Sequence, residues 1–322
     1  MANAATSDLR RWEVSSRLIW WPQIFFIAFI ITLAILDAIW LQISGVGFVF
    51  GGVVGTIPLG LFFAAIGLVY AVFRPAPRLS LAALSLAEII LFTIPGCIFS
   101  YAVMRMGRPL VDPMLVAWDA KLGFDWVSYV AFIHRYAWVR VALHWAYMSF
   151  FYQLITLNFI LCLCGRYALV NRLLANFMIG GIITTMLGAL YPALGGYYYF
   201  HIPDHGISSF SPAIEASRTR ILQVIDMDHV EGLVQFPSFH AQVSIALILT
   251  AWPIPLLRYP ILILNLVVLV STPVYGAHYL VDILAGTALV IVFNLCWQKF
   301  ERWMGGKTEQ KEIQTVPVTK VA

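Results

Sequence analysis

Long apolar stretches recur along almost the whole chain, and short polar segments separate them. A bilayer core is about 30 Å thick, and a helix needs about 20 apolar residues to cross it. Most of the stretches reach that length, so the pattern predicts an all-α polytopic membrane protein with about eight transmembrane helices. The predicted spans are 18–41, 46–73, 79–104, 141–163, 173–193, 239–257, 260–277 and 278–298.

The composition agrees with a lipid environment. Hydrophobic residues make up 61% of the 322 residues and charged residues only 11%, whereas soluble domains are about half apolar and a quarter charged. The net charge of +4 is spread along the loops, which argues against a nucleic-acid partner. The four cysteines lie inside apolar runs, so neither a disulfide framework nor a zinc site is expected.

The spans divide the chain into four expected parts. These are a cytoplasmic N-terminus (1–17), two extra N-terminal transmembrane helices (18–78), a six-helix catalytic core (79–298) and a disordered cytoplasmic tail (299–322). The first apolar run is too long for the apolar region of a cleavable signal peptide, so it is expected to remain as an anchor.

Two segments of the core are not spans. Residues 105–140 are amphipathic, which predicts one or two short helices at the membrane interface. Residues 194–238 form the longest polar segment of the chain. Both are candidates to hold a site beside the membrane.

The basic residues predict the orientation. Thirteen lysines and arginines lie on the side of the two termini and seven on the other side, whose loops are longer. The positive-inside rule therefore predicts a cell (inner) membrane protein with both termini in the cytoplasm. Residues 105–140, residues 194–238 and the 277/278 junction would then share the extracytoplasmic face.

The first candidate cluster is Phe236-Pro237-Ser238-Phe239-His240, directly before an apolar run. Pro and Ser at this position indicate the start of a helix, whose free N–H groups and dipole favour a phosphate. Ser238 adds a hydroxyl and His240 an imidazole within the first turn. The alternative is a capped membrane helix with an incidental histidine.

The second cluster contains His278 and Asp282, four residues apart at the start of the last span. On a helix they share one face, so the carboxylate can fix the imidazole tautomer and leave the other ring nitrogen free as a nucleophile. The alternative is a buried ion pair that stabilises helix packing.

Together, Pro-Ser-x-His and the later His-x-x-x-Asp resemble the type 2 phosphatidic acid phosphatase superfamily over roughly residues 79–298. The resemblance implies that His278 is the nucleophile, carrying the phosphoryl group as phosphohistidine, and that Asp282 orients it. It implies that His240 protonates the leaving oxygen and that Ser238 binds phosphate. It implies no metal and no other cofactor.

Three positions depart from the family motifs. Arg108 of the first motif is present, but Tyr101 replaces its lysine; Phe239 replaces the glycine of the second, and Thr272 the arginine of the third. Two phosphate-clamping cations are thus missing, which suits a singly charged phosphodiester better than a monoester. The pattern most closely resembles the inositol phosphorylceramide synthase-like (inositolphosphotransferase) branch.

The predicted phosphate-binding residues are Ser238, Phe239, Arg108, Arg105 and Arg220. Arg218 is a further source of replacement charge, and contact with lipid headgroups is the alternative role for each arginine. His201 and His205 lack an evident third ligand, so no metal site is predicted there.

The sequence therefore predicts a membrane lipid phosphotransferase or phosphatase that moves a phosphate-linked headgroup between lipids. Its substrate would be a phospholipid, sphingolipid or polyprenyl phosphate, and its oligomeric state is left open. One alternative is a lipid phosphate phosphatase that releases inorganic phosphate to water. Another is a non-catalytic lipid-binding or transport protein with the same fold.

Overall fold

The structure is a computed structural model, and it describes residues 2–49, 51, 54–203, 210–226 and 232–315. The chain is almost entirely helical, as predicted. The helices are α1 (Ala2–Ser44), α2 (Thr56–Val72), α3 (Pro77–Met104), α4 (Asp112–Lys121), α5 (Trp126–Arg135), α6 (Ala137–Met148), α7 (Phe150–Leu163), α8 (Tyr167–Ala175), α9 (Gly181–Leu190), α10 (Gly196–Tyr199), α11 (Phe210–Arg218), α12 (Phe239–Ala251), α13 (Pro255–Tyr275) and α14 (Leu280–Thr315).

Five helical segments of the described chain are long and apolar enough to cross a membrane. They are Trp21–Ser44, Pro77–Met104, Tyr167–Leu190, Pro255–Tyr275 and Leu280–Arg302. The pair α6 and α7, bent by 45° at Ser149, makes a sixth if it is counted as one span. The fold class of an all-α polytopic membrane protein is therefore confirmed.

The other two of the eight predicted spans are shorter than expected. The helix predicted at 46–73 begins later than predicted, at Thr56, because Gly47–Val49 forms a strand. The segment predicted at 239–257 ends at Ala251 because Pro255 begins the next helix. A proline ring fits the first turn of a helix but removes a donor from its interior.

Two further expectations concern segments outside the spans. Residues 105–140 contain the short helices α4 and α5, as the amphipathic pattern predicted. The tail was expected to be disordered from 299, but α14 continues as a helix to Thr315. Residues 316–322 lie outside the described part of the chain.

The main core lies between the long helices. It includes Phe26 and Ile30 of α1, Leu81 of α3, Leu157 of α7 and Leu247 of α12, all buried. The first helix therefore packs into the same core as the later ones. A second core lies beneath α4, α5 and α10, around Trp126 and Tyr197.

The loops at one end of the bundle are joined to each other. The strands β1 (Gly47–Val49) and β2 (Val224–Asp226) pair in parallel, with Gly47 opposite Val224. The amide of Val111 donates to the Pro192 carbonyl at 2.8 Å, and the amide of Gly196 donates to the Ala277 carbonyl at 2.9 Å. Segments far apart in sequence thus form one polar end of the molecule.

Below this end, a π-helical turn at Asn176–Gly180 interrupts the span made by α8 and α9. Such a turn leaves a carbonyl without its usual helical partner. The Gln242 side-chain amide of α12 donates to the Asn176 carbonyl at 2.9 Å and lies close to Gly180. This bond holds α12 against the span formed by α8 and α9. It is made by a residue only two positions after His240.

The helices α12 and α14 approach each other through Gly286. A Cβ placed on Gly286 would lie 2.3 Å from the Ser238 carbonyl oxygen. Backbone atoms cannot rotate away from such a contact, so glycine is required where α14 passes the start of α12.

We expect Gly286→Ala to lower the free energy of unfolding by about 1–3 kcal/mol, because the added methyl overpacks the α12–α14 contact. Thermal unfolding of the purified protein in detergent measures the change. Gly55→Ala is the matched control, since no atom lies within 4 Å of its Cβ position. Equal unfolding midpoints for the two variants would contradict the prediction.

Candidate active site

The start of α12 is built around Ser238. Its side-chain oxygen accepts a hydrogen bond from the Ala241 amide at 3.3 Å, and its own amide donates to the Asp282 carbonyl at 3.0 Å. Ser238 is fully buried and acts as the helix cap, the role that the sequence offered as the alternative to phosphate binding. The bond to Asp282 joins the two sequence clusters.

His240 lies in the first turn of α12 and faces α6 and α7. Its ring stacks on Tyr147 with the ring centroids 4.1 Å apart, and it meets Phe150 edge-on at 4.5 Å. The Tyr147 hydroxyl oxygen lies 3.1 Å from the His240 Nδ1 atom. These contacts orient the imidazole, and no described residue hydrogen-bonds to its Nε2 atom.

His278 follows a tight turn at the end of α13. Ala277 has a positive φ of 55°, and its carbonyl accepts hydrogen bonds from the Gly196 amide and the Gln235 side chain, both at 2.9 Å. A non-glycine residue adopts this conformation only when its surroundings hold it. The turn brings His278 next to the start of α14.

His278 and Asp282 meet as their spacing predicted. The His278 Nδ1 atom lies 3.3 Å from the Asp282 Oδ2 atom, which also accepts the Tyr279 amide at 2.8 Å. Nδ1 is thereby engaged, and the backbone of Gln235 also hydrogen-bonds to the His278 ring. His278 is 3% exposed, and burial lowers its pKa to about 3, which favours the neutral imidazole at physiological pH.

Two aspartates of α4 bind the turn between α13 and α14. Their spacing in the sequence gave no indication of this role. Asp119 accepts the amides of Leu280 and Val281, both at 2.9 Å. Asp112 accepts the Tyr279 hydroxyl at 2.9 Å and the Leu194 and Gly195 amides. Burial raises the pKa of both aspartates, and these hydrogen bonds oppose the rise.

The indole of Trp126 in α5 makes another unforeseen contact. Its Nε1 atom donates to the His278 carbonyl at 3.1 Å, and its ring packs edge-on against Tyr197. In the sequence, the aspartates of α4 and this tryptophan belong to the amphipathic segment 105–140. Their role depends on contacts more than 150 residues away in sequence.

Gly276 packs against both His278 and Tyr147. A Cβ placed on Gly276 would lie 2.6 Å from the His278 Cδ2 atom and 2.9 Å from the Tyr147 hydroxyl oxygen. Any larger residue at this position would therefore collide with both. The Tyr147 hydroxyl thus lies between Gly276 and the His240 ring.

The arginines form a separate group at the end of α3 and α11. Arg218 forms an ion pair with Glu215 at 2.8 Å and donates to the Arg108 carbonyl. Arg108 and Arg220 are exposed, and the Nη1 atom of Arg105 is buried without a partner. In the described part of the chain, no hydrogen bond or ion pair joins an arginine to either histidine.

The remaining predicted positions are also located. Phe239 packs its ring against Phe177 at 6.0 Å, and its amide belongs to the first turn of α12. The buried hydroxyl of Thr272 donates to the Val268 carbonyl, and Tyr101 is buried at the end of α3.

His201 is exposed, while His205 lies outside the described residues. The described residues contain no group of three metal-ligating side chains.

We expect Asp119→Ala to lower the free energy of unfolding by about 1–3 kcal/mol, because two amides at the start of α14 lose a charged acceptor. Thermal unfolding measures the change. Asp125→Ala is the control, since Asp125 caps α5 at an exposed position and its loss should lower the midpoint less. An unfolding midpoint at the wild-type value for Asp119→Ala would contradict the structural role.

Comparison with known proteins gives one match. No curated protein and no solved structure matches the chain significantly. The profile described as the PAP2 superfamily matches residues 113–295, from the start of α4 almost to the end of the last predicted span. The matched region includes Ser238, His240, His278 and Asp282, and it leaves out Arg105 and Arg108. It covers more than half of the chain, which therefore belongs to the PAP2 superfamily.

Proposed function

We propose that this protein is a lipid phosphotransferase that works through a phosphohistidine on His278. The contact between His278 Nδ1 and Asp282 Oδ2 is the observation that carries the proposal. A buried carboxylate on one ring nitrogen fixes the tautomer and leaves the other nitrogen as nucleophile. Membership of the PAP2 superfamily supports phosphatase-type chemistry on lipid substrates.

In the first half of the reaction, the His278 Nε2 atom attacks phosphorus and forms a P–N bond. The bond from phosphorus to the leaving lipid oxygen breaks, and His240 gives that oxygen a proton. In the second half, an acceptor hydroxyl gives its proton to His240 and attacks phosphorus. The P–N bond breaks, and both histidines return to their starting states.

The sequence of the two motif segments supports a substrate with one negative charge on phosphorus. Lysine and arginine are absent from residues 227–282 except for Arg258, which lies at the other end of α12. Arg258 donates to the Trp252 carbonyl there. A phosphodiester needs less positive charge than a phosphomonoester, so the reaction proposed is the transfer of a phosphate-linked headgroup, as in inositol phosphorylceramide synthase-like enzymes.

Hydrolysis is the second candidate. With water as acceptor, the same two histidines release inorganic phosphate from a lipid phosphate, and the superfamily match favours this activity. The arginines at the end of α3 and α11 would then be recruited toward the phosphate. The two candidates differ in product and share the nucleophile.

We place the site on the extracytoplasmic face of the cell membrane, with both termini in the cytoplasm. The excess of lysine and arginine on the side of the termini supports this orientation. The catalytic unit would be residues 79–298, with the two N-terminal helices as an addition. The lipid substrate would then enter from the bilayer.

The direct test uses purified protein in detergent with a panel of lipid phosphates and phosphodiesters, and mass spectrometry of the products. We expect a headgroup to move from a phosphodiester donor to a lipid or polyol acceptor, with little free phosphate. Release of phosphate as the main product would favour hydrolysis instead. His278→Ala should abolish turnover, because no other group forms the P–N bond.

The His278 variant needs a folded control, which His144→Ala supplies at an exposed position on α6. Retention of the monodisperse elution profile by both variants would show that they insert and fold. Normal turnover by folded His278→Ala would rule out the mechanism.

We expect His240→Ala to slow transfer from a donor with an alkyl leaving group by about 10²–10⁴-fold, since that oxygen leaves only with a proton. A donor with a p-nitrophenyl leaving group should be slowed far less, because it departs as a stable anion. His144→Ala, at an exposed position on α6, is the control and should match the wild type. Equal losses on both donors would contradict the role of His240 as acid.

A further inference from the structure

Gln235 stands directly before the first sequence cluster and contacts the second. It is 1% exposed and belongs to no helix or strand. Its side-chain amide donates to the Ala277 carbonyl at 2.9 Å, and its backbone hydrogen-bonds to the His278 ring. Three residues later, the Ser238 amide donates to the Asp282 carbonyl. Two of these three contacts between the clusters therefore come from Gln235.

The amide nitrogen of Gln235 also lies beside the carboxylate that orients the proposed nucleophile. Its Nε2 atom is 3.5 Å from Asp282 Oδ2, the atom that lies 3.3 Å from His278 Nδ1. An amide nitrogen carries two hydrogens, so one can bond to the Ala277 carbonyl while the other points to the carboxylate. A single side chain therefore contacts both the residue before His278 and the acid that fixes its ring.

The oxygen of the same amide is left without a donor. Gln235 Oε1 is buried and has no hydrogen-bond partner among the described residues, and a buried acceptor without a donor destabilises the fold. An apolar side chain of the same length would fill the position without this penalty. The amide is therefore placed for the two acceptors of its nitrogen, at the expense of its oxygen.

Gly195 allows the amide to lie in this position. It has a positive φ of 89°, and a Cβ placed on it would lie 3.0 Å from Gln235 Nε2 and 2.9 Å from the Ala277 carbonyl oxygen. Glycine adopts this conformation without strain and permits so close an approach. Asp112 accepts the Gly195 amide at 3.0 Å, so the backbone that faces the Gln235 amide is itself held by α4.

We infer that Gln235 is a positioning residue of the proposed reaction, whose side-chain amide holds the His278 ring and the Asp282 carboxylate in the geometry from which His278 attacks phosphorus. The inference rests on the proposed function, since it assumes that His278 takes the phosphoryl group. It adds a residue that acts through His278 and not on the substrate itself.

A positioning role has a distinct kinetic signature. Both halves of the reaction pass through the bond between His278 and phosphorus, so a misplaced ring slows each of them. An interaction that serves only the transition state lowers kcat and leaves KM nearly unchanged. The loss of His240 depends on how well the leaving group departs without a proton, whereas the loss of Gln235 should not depend on the leaving group.

The experiment compares Gln235→Met with Gln223→Met, on one diester donor with an alkyl leaving group and one with a p-nitrophenyl leaving group. Methionine keeps the length of glutamine and removes both N–H donors. Gln223 is exposed, so it is the matched control and should behave as the wild type. We expect Gln235→Met to lower kcat by about 10²-fold on both donors, as for a small displacement of a reacting group. Its KM should stay within about threefold of the wild-type value.

Gln235→Asn is the second variant, because it keeps an amide and withdraws the nitrogen from both acceptors by one methylene. It should also lose kcat, and it decides the question if Gln235→Met does not fold. All rates are measured well below the unfolding midpoint of each variant. A wild-type kcat in either folded variant would overturn the inference. So would a loss confined to the alkyl donor, which would assign the residue to His240, or a raised KM with unchanged kcat, which would assign it to substrate binding.

The failure of the proposed function would look different. His278→Ala, assayed beside the glutamine variants, reports on the nucleophile alone, and its retention of turnover would remove the reaction itself. An inactive His278→Ala beside a fully active Gln235→Met would leave the reaction in place and refute only the positioning role.

Discussion

The rest of the site depends on two aspartates, Asp119 and Asp282, which accept the backbone amides at the start of α14. The first amides of a helix have no partner within it, and apolar surroundings offer them no water. Asp119 accepts the amides of Leu280 and Val281, and Asp282 accepts that of Tyr279. Three otherwise unpaired donors are thus satisfied by two acids, one from a distant helix and one from α14 itself.

The positions of both histidines follow from this arrangement. Asp282 is fixed by the amide of Tyr279, so its Oδ2 atom is held where His278 Nδ1 meets it. The backbone carbonyl of Asp282 accepts the Ser238 amide, which fixes the start of α12 and with it His240. One aspartate therefore orients the proposed nucleophile through its side chain and the proposed acid through its backbone.

Apart from the aspartates, the hydrogen-bond partners at this end of the molecule are uncharged. Amides, hydroxyls and an indole make most of the contacts, and Gly276 avoids the collision that a larger residue would make with Tyr147 and His278. Such groups stabilise negative charge through fixed dipoles, which are effective where water is excluded.

Much of the fold was predictable from the pattern of apolar positions. The long spans were located because a run of about 20 apolar residues has few alternatives to a membrane helix. The short helices α2 and α12 were overestimated in length because hydropathy does not mark where a strand or a proline turn begins. The helical extension of α14 to Thr315 was missed because its polar composition resembles that of a disordered tail.

The local part of the candidate site was also determined by the sequence. His278 and Asp282 are four residues apart, and their contact is local in sequence although His278 precedes α14, which begins at Leu280. The cap formed by Ser238 is likewise a local feature. By contrast, Asp112, Asp119, Trp126 and Tyr147 reach the histidines only through contacts across 90 residues or more. Spacing along the chain holds no information on such contacts, because the packing of α4, α5 and α6 against the ends of α12, α13 and α14 decides them.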